Sequence, residues 1–146
     1  MSDPRLASPD DLAPAAETLA RAFAHYPWTR HVIPEEGYAE QIVALHGDRI
    51  GRLGDGSPPH DGWSLETVGV RPAAQGRRLG SALIVFALAE AARRGARAVR
   101  LETSDERNVR LYERHGFHAT GRRDHPDGPP VWDMEVDDMD AHARTT

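Results

Sequence analysis

The sequence predicts an α/β fold, a mixed central sheet flanked by helices, and three observations in its C-terminal half carry that prediction. β-rich segments and amphipathic segments alternate there in the order strand, helix, strand, helix, strand, strand. A glycine follows each of the two predicted helices. A helix joins the first two strands, which favours a parallel pair connected by a right-handed crossover. Because 146 residues suit one hydrophobic core, we expect a single domain over residues 1–146, with its most legible part at about 63–136.

The N-terminal part predicts one clear helix and an extended loop. Ser8 begins an N-cap and first-turn pattern, and apolar residues then recur at helical spacing to about Ala24. A short strand at residues 5–7 is a further candidate, an aromatic turn is expected at residues 25–28, and a weaker helix at residues 38–46. Residues 47–62 are dense in Gly and Pro, so they are predicted as loop without a β-hairpin.

The C-terminal half divides into short, well-marked elements. Trp63 to Val70 alternates and is β-rich, so it predicts a strand. A helix is expected from Gln75 to Arg94, stopped by Gly95, with one apolar stripe formed by Leu79, Leu83, Phe86 and Ala87. The remaining predictions are a strand at 98–103, a helix capped by Ser104 or Asp105 and ended by Gly116, and strands at 117–121 and 131–136.

Composition and charge exclude several classes of protein. The net charge of -5 argues against a general nucleic-acid binder, which would show a basic face. The absence of cysteine excludes disulfides, thiolate metal sites and a cysteine acyl-enzyme. No apolar run approaches the roughly 18 residues that span a bilayer, and the start has no signal-peptide core, so we expect a cytoplasmic protein without a membrane partner. His115 and His118 have no partner at ligand spacing, and no metal site is expected.

A phosphate-binding loop is predicted directly after the Trp63 strand. The segment from Val70 to Leu83 reads as a strand end, a Pro-initiated turn and a glycine-bearing loop that runs into a helix. Such a junction exposes backbone N–H groups at the positive end of the helix dipole. Gly76 and Gly80 let an anion approach the main chain, and nearby arginines add positive charge. On these features alone, the sequence indicates an anion-binding loop and an ordinary connecting loop about equally.

Two motifs make the prediction specific. Val70-Arg71-Pro72, followed by Gln75 and Gly80, resembles the acetyl-CoA motif of GNAT-type N-acetyltransferases, with Arg78 standing where the middle glycine usually lies. Downstream, Asn108 to Phe117 is similar to the family's N-x-x-x-Y-x-x-x-G-F segment. The two motifs occur in the family's order, separated by one helix and one strand, and the resemblance covers about residues 63–136.

The resemblance implies acetyl-CoA as cosubstrate and a set of residues that bind it. Val68 to Val70 would end a strand that splays from its neighbour, so that the pantetheine arm bonds to the freed backbone. Ordinary packing in a core strand is the alternative. The full set of implied cofactor-binding residues is Val68, Gly69, Val70, Gln75, Gly76, Arg77, Arg78, Leu79, Gly80, Ser81, Asn108 and Tyr112.

The resemblance also implies acetyl transfer to a primary amine of a small molecule or peptide. Tyr112 would be the general acid that protonates the departing CoA thiolate, the alternative being a helix tyrosine packed on the sheet. Glu66 is the first candidate for the general base and Glu102 the second, with a solvated strand carboxylate as the alternative. Because the chain has no cysteine, direct transfer in a ternary complex is favoured over a ping-pong mechanism.

One departure from the family pattern lies upstream of these motifs. Family members usually place a β-hairpin, their second and third strands, before the pantetheine-binding strand, and residues 47–62 predict only loop. The Trp63 strand would then be a sheet edge, which could pair with a second copy to form a homodimer. The alternative to an active enzyme is an acetyl-CoA-binding module that is inactive or poorly active.

Overall fold

The computed structural model describes residues 3–37, residue 41 and residues 63–144. Backbone contacts divide them into two compact units: one holds the described residues up to 41 together with Gly69–Leu79, the other holds residues 63–68 and 80–144. The predicted helix at 38–46, except Gln41, and the predicted loop without a hairpin at 47–62 lie outside the described residues. Among the described helices, none has the length and apolar character required to cross a membrane.

The first unit is built on the predicted N-terminal helix. Ser8 donates from its backbone N–H to the carboxylate of Asp11 at 2.8 Å, a 3-10 turn covers Pro9–Asp11, and helix α1 follows over Leu12–Ala22. The inward face of α1 carries the small side chains Ala16 and Ala20. The candidate strand at residues 5–7 is wrong, since those residues have no strand structure. The expected aromatic turn is shorter than predicted, because Pro27 begins a second helix, α2, at Pro27–Val32.

The second unit contains a four-stranded mixed sheet, as predicted. Its strands are β1 at Trp63–Ser64, β2 at Val99–Thr103, β3 at His118–Arg123 and β4 at Val131–Val136, arranged in the order β1-β2-β4-β3. β1 and β2 are parallel, with Ser64 opposite Arg100, whereas β2–β4 and β4–β3 are antiparallel. In the part of the chain that the structure describes, β1 therefore forms one edge of the sheet.

One face of this sheet forms the core and the other carries charge. Helix α3 at Leu79–Arg93, helix α4 at Glu106–Glu113 and helix α5 at Met139–Ala143 supply the apolar side chains that cover the inner face. Val99 and Leu101 are buried on that face opposite Val136 and Met134. The intervening residues of β2 point to the outer face, where they form cross-strand ion pairs.

Both long helices of this unit end as the sequence predicts, at a glycine with a left-handed backbone. After α3, Gly95 has φ +89 and donates to the carbonyl of Ala92, while Ala96 donates to that of Ala91. After α4, Gly116 has φ +90 and repeats this pattern, with Phe117 donating to the carbonyl of Tyr112 at 3.2 Å. These paired bonds define a Schellman motif at each helix end. At the start of α4, the cap is Asp105, whose carboxylate accepts from the N–H of Arg107 at 2.9 Å.

Two predicted boundaries near the candidate loop are wrong. The Trp63 strand does not continue to Val70: it is paired only at Trp63–Ser64, with one more bond from the N–H of Leu65 to the carbonyl of Arg100 at 2.8 Å. Helix α3 begins at Leu79 and not at Gln75. The helix starts later than predicted because Gly76 and Arg78 both have positive φ, which a right-handed helix excludes.

The apolar stripe predicted for α3 is also wrong. The helix buries Ile84, Leu88, Ala89 and Ala91, while Leu83, a member of the predicted stripe, is 39% exposed. The sequence of α3 is apolar around most of its circumference, so helical spacing alone fits more than one stripe.

Candidate active site

The backbone leaves the sheet directly before the candidate loop. After Leu65, no backbone–backbone hydrogen bond joins residues 66–70 to other described parts of the chain. The chain passes here from the second unit, which ends at Val68, to the first, which resumes at Gly69. Val68 to Val70 thus carry main-chain N–H and C=O groups outside any described ladder. An extended ligand with amide groups can bond to such a backbone as an added strand would.

Gly69 is held closely against helix α1. A Cβ built on Gly69 would lie 2.8 Å from Leu19 Cδ2, 3.0 Å from Ala22 Cβ and 3.1 Å from Phe23 Cε2. The first distance is shorter than real Cβ contacts and the other two are tighter than most, so any larger residue at position 69 would force its neighbours on α1 to shift. This close packing sets the distance between the backbone at residue 69 and helix α1. It explains why a glycine stands between Val68 and Val70 in a segment whose sequence is otherwise that of a strand.

Side-chain bonds fix the turn that follows. Arg71 donates from Nε to Thr18 Oγ1 on α1 at 3.1 Å. A 3-10 turn covers Pro72–Ala74, and Gln75 then reaches back to donate from Nε2 to the carbonyl of Val70 at 3.2 Å. The glutamine that the sequence motif singles out therefore closes the turn by bonding to the backbone of Val70.

The loop itself adopts two left-handed residues in a span of three. Gly76 has φ +79 and Arg78 has φ +60, and Arg78 is the only non-glycine residue of the described chain with a positive φ. A Cβ built on Gly76 would meet nothing within 4 Å, so space is open beside it. The conformation of Arg78 accounts for the usual glycine at this motif position, because an L-residue is disfavoured there. Arg77 and Arg78 are both exposed and bring two positive charges to the start of α3.

Ser81, in the first turn of α3, bonds to a residue of another element. Its Oγ lies 3.1 Å from Nε2 of His115, which follows helix α4. Burial lowers the pKa of His115, and the nearby Arg114 and His142 lower it further. The sequence suggests His115 only as a metal ligand, and spacing gives no sign of a contact with Ser81, 34 positions away. In the described residues, no group of three or more His, Asp or Glu side chains could hold a metal ion.

Tyr112 is packed into the core of the second unit. It is 9% exposed, and its ring lies edge-on to that of Phe117 with 5.6 Å between ring centroids. This contact joins the two ends of the Schellman motif around Gly116, an apolar pairing that commonly accompanies such a helix end. Asn108 lies one turn earlier on α4, on the same side as Tyr112, and is half-buried.

The two carboxylates considered as general base differ in their surroundings. Glu102 Oε1 lies 2.8 Å from Arg123 Nη2, and the same guanidinium contacts Asp133 at 2.7 Å. Glu66 follows β1 by two residues and is exposed. Glu102 is therefore held by an ion pair although it is exposed, whereas Glu66 has no ion pair with another described residue.

The comparison with known families assigns the chain to one of them. Residues 7–117 match the model of the Acetyltransferase (GNAT) family, and the chain belongs to that family. The match includes the candidate loop and both sequence motifs.

Solved structures with the same fold come from several bacteria. The chain is similar to a structure described as histone acetyltransferase HPA2 and related acetyltransferase from Corynebacterium glutamicum, with 24% identity, 88% of this chain and 92% of that one covered, and a TM-score of 0.69. It is also similar to a GCN5-related N-acetyltransferase from Rhodopseudomonas palustris, with 20% identity, coverage of 94% and 97%, and a TM-score of 0.66.

A third similar structure was solved with a ligand. It is yncA from Salmonella typhimurium with its cofactor acetyl-CoA, at 20% identity, with 91% of each chain covered and a TM-score of 0.62. At these identities the likeness establishes the fold.

Proposed function

We propose that this protein is an N-acetyltransferase that moves the acetyl group of acetyl-CoA to a primary amine of a small molecule or peptide. Membership of the GNAT family supports acyl transfer. The observation that carries the proposal is the backbone of residues 66–78, which leaves the sheet ladder and then turns through two left-handed residues before α3. We further propose that residues 1–146 act as one N-acetyltransferase domain.

The proposed cofactor site follows the order of the ligand's parts. Main-chain groups of Val68, Gly69 and Val70 would bond to the pantetheine arm, since no described ladder uses them. The diphosphate would lie on the loop and the first turn of α3, formed by Gln75, Gly76, Arg77, Arg78, Leu79, Gly80 and Ser81. Exposed N–H groups, the helix dipole and two arginines there all favour an anion. Asn108 and Tyr112 complete the proposed set from α4.

The proposed reaction is a direct transfer in a ternary complex. The amine nitrogen attacks the thioester carbonyl carbon, the new C–N bond forms, and the C–S bond breaks to release CoA thiolate. Glu66, directly or through a water, takes the proton that the amine gives up, and the hydroxyl of Tyr112 protonates the thiolate. The proton on Glu66 then passes through solvent water to the Tyr112 phenolate, which restores both side chains as the amide product and free CoA leave.

A second candidate function is an acetyl-CoA-binding module without turnover. The packing of Tyr112 against Phe117 at a helix end favours it, because that contact alone gives the ring a structural role. Under this alternative Glu66 is a solvated surface carboxylate.

Thiol release with acetyl-CoA and a panel of amines separates the two functions. We expect free thiol to accumulate with at least one amine, and Tyr112→Phe to reduce its rate by about 100-fold, a typical effect of losing general acid–base catalysis. Tyr112→Phe keeps the ring and hence its contact with Phe117, and its melting temperature, measured alongside, shows that the variant is folded under the assay conditions. An equal rate of thiol release in Tyr112→Phe would refute the acid assignment, and binding without release for every amine would favour the module.

The base and the oligomeric state have their own tests. Glu66→Gln should lower kcat/KM most at low pH, where the amine is more protonated, whereas Glu102→Gln, the matched control, should change it little.

The homodimer through the β1 edge stays a prediction. A strict monomer by light scattering at high micromolar concentration would contradict it.

A further inference from the structure

A hydrogen bond connects the first turn of α3 with the end of α4. His115 Nε2 and Ser81 Oγ, 34 positions apart in the sequence, are 3.1 Å from each other. Both side chains are half-buried, so water competes less for the bond than it would at an open surface. Ser81 is one of the residues proposed above to face the diphosphate of acetyl-CoA.

The backbone around His115 holds the imidazole in place. His115 is the last residue before Gly116, whose φ of +90 turns the chain out of α4, and its own N–H donates to the carbonyl of Tyr112 at 2.9 Å. His142, on α5, lies beside the same turn: its Nε2 would be 3.6 Å from a Cβ on Gly116. Arg114 and His142 are the charged or titratable neighbours that act on the imidazole, and both disfavour its protonation.

The direction of the hydrogen bond decides what Ser81 can offer a ligand. A serine hydroxyl has one hydrogen to donate, whereas a neutral imidazole has one N–H and one acceptor nitrogen. If Nε2 accepted from Ser81, the hydroxyl would have no hydrogen left for an anion and would present only lone pairs to it. If Nε2 carries the hydrogen and donates to Oγ, the hydrogen of the Ser81 hydroxyl remains available for another acceptor. The bond that Oγ accepts also polarises this hydroxyl.

We propose that His115 is a positioning residue that donates from Nε2 to Ser81 Oγ and thereby directs the Ser81 hydroxyl toward the diphosphate of acetyl-CoA. The inference rests on the proposed function, since it assumes that acetyl-CoA binds at the start of α3. The inference links the two sequence motifs, because His115 at the end of the downstream motif orients the hydroxyl donor of Ser81, which directly follows the upstream motif.

Calorimetric titration of acetyl-CoA into a set of variants tests the link. Ser81→Ala and His115→Leu should each weaken the Kd about fivefold, the loss expected for one net hydrogen bond. The double variant should bind no more weakly than Ser81→Ala, because His115 acts only through that hydroxyl. His115→Gln should bind within about twofold of the wild type, since the glutamine amide offers a donor near the position of Nε2.

The matched control is His118→Leu, which removes an exposed histidine three positions along the chain on β3. It should leave the Kd unchanged. A merely structural role for His115 would give losses that add to those of Ser81→Ala, and it would not depend on a donor at this position. Full additivity, a wild-type Kd in His115→Leu, or no recovery in His115→Gln would each overturn the inference while leaving the proposed function intact. Failure of the wild type to bind acetyl-CoA would instead reject the proposed function.

Discussion

Replacing Arg78 with glycine should stabilise the protein, although the same change at the neighbouring Arg77 should destabilise it. Arg78 has φ +60, a region that disfavours an L-residue by roughly 1–2 kcal/mol. Glycine removes this penalty but is more flexible in the unfolded chain, which costs about 0.5–1 kcal/mol. The difference predicts a net gain of roughly 0–1.5 kcal/mol for Arg78→Gly, and its central value of about 0.75 kcal/mol corresponds to a rise of about 2–3 °C in melting temperature.

Arg77→Gly is the matched control for this prediction. Arg77 is equally exposed and lies in the same loop, and φ at Arg77 is not positive. Both variants remove one positive charge, so differences in charge cancel, and Arg77→Gly should lose about 0.5–1 kcal/mol through the flexibility of glycine alone. Thermal unfolding of both variants at one pH measures the contrast. If Arg78→Gly lowers the melting temperature as much as Arg77→Gly does, the left-handed conformation of Arg78 is not the one that the protein adopts.

Three further changes test other parts of the structure. Gly69→Ala should destabilise by about 1–3 kcal/mol in urea unfolding, because its Cβ would overlap Leu19 and Ala22, whereas Gly121→Ala, with 3.5 Å to its nearest neighbour, should change stability far less. Asp105→Ala should cost about 1 kcal/mol through loss of the α4 cap, while Asp105→Asn should retain most of it. His115→Gln should flatten the pH dependence of stability at mildly acidic pH. The pKa of His115 is lower in the folded protein than its unfolded value of about 6.5, so between the two values the unfolded chain binds more protons. Stability of the wild type therefore falls as the pH falls through this window, and glutamine, which does not titrate, removes that contribution.

Asp105 also makes the stability depend on pH, in a more acidic range than His115 does. The side-chain hydrogen bond from Arg107 is the largest cause that lowers the pKa of its carboxyl, opposed by partial burial. A lowered pKa makes the stabilisation complete above the unfolded value of about 3.9 and removes it as the pH falls below that value. Asp105→Asn, which cannot titrate, should therefore lose less stability between pH 5 and pH 3 than the wild type does. An equal loss in the two proteins would contradict this assignment.

The sequence predicted helix ends better than helix faces. Gly95 and Gly116 end their helices as expected, because the left-handed residue after a helix is a local requirement that glycine meets. The buried face of α3 was predicted wrongly because its sequence is apolar on several sides, and the choice of Ile84 and Leu88 over Leu83 depends on where the sheet lies. That information is tertiary and is absent from helical spacing.

Strand length was overestimated for a related reason. Alternation from Trp63 to Val70 predicts that the segment can form a strand, but a ladder also needs a partner, and β2 pairs with it only as far as Leu65. The rest of the predicted strand, residues 66–70, pairs with no described strand, and the resemblance assigned the pantetheine arm to Val68–Val70 within it. The left-handed Arg78 could not be predicted from residue type, since arginine has no preference for positive φ, although the usual glycine at that motif position points to it.

The helix end at Gly116 separates the structural and chemical parts of the downstream motif. Tyr112 and Phe117 pair across the Schellman motif, and Gly116 supplies the positive φ that the turn requires, so three positions of the motif are explained by folding alone. Phenylalanine at position 112 would keep the ring contact with Phe117, so Tyr112→Phe changes the hydroxyl alone. The same turn holds the imidazole of His115 against Ser81. Two roles are proposed for this turn, Tyr112 as the acid and His115 as the residue that orients the Ser81 hydroxyl. Single-atom changes at Tyr112 and donor-for-donor changes at His115 distinguish those proposed roles from the packing that the two residues share.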